Sequence, residues 1–118
     1  MWLEPGMHIA ERTENGVTVL HPVGRIDSGS TGEFERVLMS AIGDEGTRIV
    51  VDMAQLAYIS SAGLRSLLVA AKAARAKRGS IVLSAMAPNI REMFDVSGFS
   101  SLFQIHADAA AAVAAVGG

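Results

Sequence analysis

Hydrophobic and polar residues change rhythm several times along this chain, and each rhythm predicts a different element. Met7 to Thr13 and Val17 to Pro22 read as two short extended runs separated by Glu14-Asn15-Gly16. Asn-Gly tolerates positive φ at both positions, which predicts a tight type I′ hairpin turn and antiparallel neighbours. Pro22 lacks an amide hydrogen and Gly24 is flexible, so the second strand is expected to end near them. The period then becomes helical. Phe34, Val37, Leu38, Ala41 and Ile42 define one apolar face, with a stop at Gly43. Ser30 and Glu33 have the spacing of a capping box at the start of this helix.

Thr47 to Met53 contains Ile49-Val50-Val51, a continuous β-branched run of the kind found in buried parallel strands. Ala54 to Ser60 reads as a loop leading into a second helix, whose face carries Leu64, Leu67, Leu68, Ala71 and Ala74. Lys72, Arg75, Lys77 and Arg78 suit the negative end of that helix, and Gly79 is expected to close it. Ile81-Val82-Leu83 predicts another buried strand. Pro88 suits the first turn of a third helix carrying Ile90, Met93 and Phe94 and ending near Gly98. Leu102 to His106 predicts a short edge strand, and Asp108 a cap on an Ala-rich final helix. A hairpin followed by alternating helix and strand predicts one α/β domain spanning 1–118. Its sheet is mixed and mainly parallel, with helices packed on it.

Bulk properties narrow the function. Half of the 118 residues are hydrophobic, enough for a core without covalent staples. There is no cysteine, which removes disulfides and thiolate chemistry. Twelve acidic residues against ten Lys and Arg give a net charge of −2, no footprint for nucleic acid or an anionic membrane. Met1 to Gly6 has neither the basic nor the apolar region of a signal peptide, and no apolar run is long enough to span a bilayer. A soluble cytoplasmic protein without membrane insertion is expected.

Candidate chemistry is sparse. His8, His21 and His106 fall in separate predicted strands without a carboxylate or second histidine at ligand spacing, so no metal site and no cofactor are expected. Gly29 and Gly32 flank Ser30-Thr31 at a helix start, where free amides can cradle a phosphate. A nucleotide-binding module is therefore one alternative, although capping explains the same residues. Ser61 and Gly63 partly match the nucleophile elbow G-x-S-x-G, but Ile59 stands in place of the first glycine. His106 and Asp108 would be the only downstream partners, so the chain is not read as an enzyme.

The informative segment is Tyr58-Ile59-Ser60-Ser61-Ala62-Gly63-Leu64-Arg65, where a strand's loop delivers the chain into a helix. Serines at a helix N-terminus can cap it through a hydroxyl oxygen. A phosphate there adds about −1.5 to −2 charges, and the helix start accommodates them. Phosphorylation could thus abolish docking without unfolding the domain.

This segment, Gly24-Arg25-Ile26-Asp27 and Ile49-Val50-Val51-Asp52 together resemble the STAS family, best known from bacterial anti-sigma factor antagonists. The resemblance spans nearly the whole chain. It implies a partner-switching regulator that binds an anti-sigma factor serine kinase when unphosphorylated and is released by phosphorylation of Ser61. A PP2C-type phosphatase would restore it. Asp27, Ser60, Ser61, Ala62, Gly63, Leu64 and Arg65 would lie at the docking surface.

Three positions depart from the family pattern. Ser60 replaces the usual acidic residue and is an alternative acceptor, Ala62 replaces a hydroxyl residue, and Arg65 stands where glycine is frequent. The first departure keeps open a non-phosphorylated STAS scaffold, or a subunit of a stress-signalling or lipid-transport complex. An uncovered edge strand leaves monomer or weak dimer open.

Overall fold

The β-branched runs and the hairpin turn form one six-stranded sheet in the computed structural model, which describes residues 7–117. The signal-peptide reading of Met1 to Gly6 lies outside the described residues. Strand β1 (Met7–Glu14) turns through Asn15 and Gly16, at φ of 52° and 77°, into β2 (Val17–Ile26). Both turn residues are left-handed, as the predicted turn requires.

Strand β2 does not end at Pro22 but runs on to Ile26. Counting outward from the two-residue turn, Pro22 pairs with Ile9 at a position that exchanges no ladder bonds with β1. Its missing amide hydrogen therefore faces the other side. There β2 has left β3 (Arg48–Asp52) after Leu20 and meets β4 (Leu56–Ile59) only at Gly24. Proline is tolerated because it falls in the gap between two partners.

Strand β4 corrects the expectation of a loop over Ala54 to Ser60. Four residues are too few to display a period, and β4 exists because β2 extends far enough to pair with it. Strand β5 (Ser80–Ser84) lies parallel to β3, and β6 (Ile105–His106) parallel to β5. The edge strand expected over Leu102 to His106 is thus only two residues long, because a 3₁₀ turn takes Phe99–Leu102. The order is β1-β2-β3-β5-β6 with β4 also on β2.

Helices cover both faces of this sheet. On one side α1 (Thr31–Ala41), α2 (Ser61–Ala76) and α3 (Pro88–Ser97) bury Phe34, Leu38, Leu64, Leu67, Ile90 and Phe94 against Ile26, Ile49, Val51, Ile59 and Leu83. On the other, α4 (Ala109–Val116) buries Ala112 and Val113 against Val17, Val19, Val50 and Val82. Alternation along β2, β3 and β5 divides their side chains between two cores, which is why β3 reads as an unbroken apolar run.

Two helices end by different rules, one as expected and one not. Glycine at the end of α3 is left-handed, with Gly98 at φ 81°. At the end of α2 the left-handed residue is Arg78, at φ 63°, rather than Gly79. Gly79 is required for space: a Cβ there would lie 2.3 Å from the backbone oxygen of Thr47.

Candidate functional site

The site is assembled where two neighbouring parallel strands end. Ile26 of β2 pairs with Ile59 of β4, and the Ser60 amide donates to the Ile26 carbonyl at 2.8 Å. Asp27 and Ser60 therefore leave the sheet side by side, one toward α1 and the other into α2. Both isoleucines are fully buried. A Cβ on Gly63 would come within 2.8 Å of Ile26 Cγ2 and of Ile59 Cγ1, so only glycine lets α2 start this close to the strand ends. Leu64 is buried beside it, while Ala62 is half-buried.

The two serines divide the work that their sequence left open. Ser60 is the N-cap of α2, and its Oγ accepts from the Gly63 amide at 3.2 Å. Its hydroxyl is thereby tied to the helix start. Ser61, the first residue of α2, is exposed, and its hydroxyl has no hydrogen-bond partner among the described residues. Arg65 is also exposed, one turn further along the same face. It makes no ion pair among the described residues.

Asp27 builds the adjoining rim and the start of α1 together. Its Oδ1 accepts from the Gly29 amide at 3.0 Å, and its carbonyl accepts from the amides of Ser30 and Thr31 at 3.0 and 2.9 Å. Thr31 Oγ1 donates to the same carbonyl at 2.6 Å. These bonds consume the amides that a phosphate cradle at Gly29 and Ser30 would offer, which argues against a nucleotide site there.

The capping box also fails to form. Ser30 Oγ accepts from the Asp27 amide at 2.9 Å and donates to the Arg25 carbonyl at 2.8 Å, so it serves the loop instead of capping α1. Glu33 meanwhile accepts from Arg36, 2.7 Å away.

One rim pair escaped sequence reasoning. Arg25 and Tyr58 lie opposite each other on β2 and β4, with the guanidinium carbon 4.4 Å from the ring centroid. Arg25 Nε is also 3.7 Å from Asp27 Oδ2. Cross-strand pairing would have revealed this contact, but only once Leu56–Ile59 was known to be a strand.

The histidines lie apart from this rim. His21 is not without a carboxylate: its Nδ1 is 3.1 Å from Asp52 Oδ2, each residue immediately following the last parallel pair of β2 and β3, Leu20 and Val51. Arg12 Nε donates to its Nε2 at 3.2 Å. His21 is thus engaged at both ring nitrogens. Among the described residues no three His, Asp or Glu side chains converge as metal ligands.

A hydrolase triad is not assembled either. Asp108 accepts from the Ala111 amide at 2.8 Å as the cap of α4. His106 lies on β6, separated from β2 and its partner β4 by β5 and β3. No helix among the described residues is long and apolar enough to cross a membrane.

Comparison with known proteins accords with this architecture. The STAS domain family model matches residues 8–112. BtrV of Bordetella bronchiseptica, described as an anti-sigma factor antagonist, is 37% identical over 101 residues, covering 86% of this chain and 87% of BtrV. An anti-sigma factor antagonist from Mycobacterium paratuberculosis superposes with a TM-score of 0.85 at 21% identity, with 94% of each chain covered. The Bacillus cell fate determinant SpoIIAA in its phosphorylated form gives 0.70 at 19% identity, covering 94% of this chain and 99% of SpoIIAA. The two structural likenesses concern the fold.

Proposed function

Because the chain belongs to the STAS domain family and is related to anti-sigma factor antagonists, we propose that it is a partner-switching regulator controlled at Ser61. Residues 1–118 are treated as one such domain, acting by binding rather than by catalysis. Unphosphorylated, it engages an anti-sigma factor serine kinase in the cytoplasm through the rim of Asp27, Ser60, Ser61, Ala62, Gly63, Leu64 and Arg65. Phosphorylated, it is released, and a PP2C-type phosphatase restores it.

The observation that carries this reading is the contrast between the paired serines. Ser60 is committed to the cap, whereas Ser61 is exposed and unengaged among the described residues. A kinase can therefore reach the Ser61 hydroxyl without disturbing the helix start. Ser61 is accordingly favoured over Ser60 as the acceptor. The added charge stands at the positive end of α2, which favours it, so the folded state survives modification.

The switch is an equilibrium device. Its partner must bind one charge state more tightly, and only that differential affinity changes the outcome. Incubation with ATP and the host's anti-sigma serine kinases, followed by phosphopeptide mass spectrometry, tests the assignment. Stoichiometric phosphate on Ser61 is expected, with none in Ser61→Ala. Absence of phosphate with an active cognate kinase would overturn the switch in favour of a scaffold that binds without being modified.

A further inference from the structure

Arg65 has no electrostatic support from its own helix. It lies just past the first turn of α2, near the end where the helix dipole gives a cation no favourable interaction. The first turn of α2 holds no acidic residue, and Arg65 has no anionic partner among the described residues. Nor is it buried to support packing, since it is exposed. The neighbouring cation of the rim, also exposed, differs in having partners. Arg25 is stacked on Tyr58 and lies close to Asp27, so it is already engaged.

What would complete Arg65 is an anion one turn before it. Residues four apart on a helix are neighbours on its surface, roughly 5–6 Å apart at Cβ, and an acid preceding a base is the favourable order. The residue four before Arg65 is Ser61, exposed and free of hydrogen bonds among the described residues.

Resting on the reading of Ser61 as the acceptor, we propose that Arg65 is a built-in receiver for the Ser61 phosphate, pairing with it on the same helix. Phosphorylation then does two things at the docking surface. It adds negative charge, and it withdraws a rim cation that has no anionic partner among the described residues in the unmodified protein. A guanidinium suits this role because it can meet two phosphate oxygens at once.

The test requires no kinase. Phosphoserine is installed at position 61 by codon suppression, and its second ionisation is followed by phosphorus NMR in the full chain and in Arg65→Gln and Arg25→Gln. Pairing with Arg65 should lower the midpoint by about half a pH unit relative to Arg65→Gln, the scale expected for a doubly charged group in a surface pair. The gap should close in about 1 M salt, where the Debye length is roughly 3 Å. Arg25→Gln should titrate like the unsubstituted chain.

Identical midpoints for the unsubstituted chain and Arg65→Gln would overturn the receiver, as would a shift in Arg25→Gln alone. Either result would leave kinase labelling of Ser61 untouched. Failure of a kinase to label Ser61 would conversely remove the parent reading without altering the NMR outcome.

Discussion

At the scale of single residues, the site depends on one glycine and on two serines that differ in their bonds. Gly63 has no room for a methyl group between Ile26 and Ile59. Gly63→Ala should therefore destabilise the fold by about 1–3 kcal/mol, the usual cost of overpacking, read as a lower denaturant midpoint with unchanged slope. Ser60→Ala removes the cap of α2 and should cost about 1 kcal/mol. It should still leave Ser61 open to labelling, which phosphopeptide mapping can check. Loss of labelling with the fold intact would instead make Ser60 the acceptor. The sequence showed that a serine pair opened this helix, but not how the pair divided. Capping depends on which hydroxyl meets the Gly63 amide, and adjacent identical residues carry no periodic signal for that.

Among the secondary-structure elements, the sequence was most legible where local chemistry is decisive. The Asn15-Gly16 turn, the Pro88 start, the Gly98 stop and the Asp108 cap all lie where their side-chain and backbone preferences place them. It was least legible where a distant partner decides. Pro22 looked like a strand end, yet its missing donor faces the gap between β3 and β4. Ser30 looked like a cap but bonds back to the Asp27 amide and the Arg25 carbonyl.

The same dependence on tertiary partners joins α1 to α2. Buried Ser66 donates to Glu35 Oε1 at 2.9 Å across the two helices, and neither residue signals this in the sequence. Ser66→Ala should cost about 1–2 kcal/mol, because it strands a partly buried acceptor. A double-mutant cycle with Glu35→Ala should show coupling, whereas additive losses would mean the bond contributes nothing. Gly79→Ala should also destabilise the α2–β5 junction, because the Thr47 oxygen is backbone and cannot swing away.

Across the whole molecule, two apolar layers hold the sheet so that the ends of β2 and β4 present Asp27 and Ser60 on a fixed rim. The alternation of helix and strand made the α/β class readable, and the β-branched run at Ile49-Val50-Val51 marked the sheet's centre. That Arg65 has no ion pair among the described residues became visible only with the folded chain, since ion pairing is a tertiary fact. Leu67→Ala in the larger core should cost about 2–5 kcal/mol yet leave partner affinity unchanged wherever the protein remains folded. On the proposed reading stability and switching are separable: the core holds the rim in place, and charge at Ser61 selects the partner.

That separation is tested most directly by calorimetric titration of the cognate anti-sigma serine kinase with folded Ser61→Ala and Ser61→Asp. Ser61→Ala should bind as the unmodified chain does, and Ser61→Asp at least tenfold more weakly, a difference of about 1.4 kcal/mol. Equal affinity of the two variants, both folded, would contradict control of partner binding by charge at Ser61.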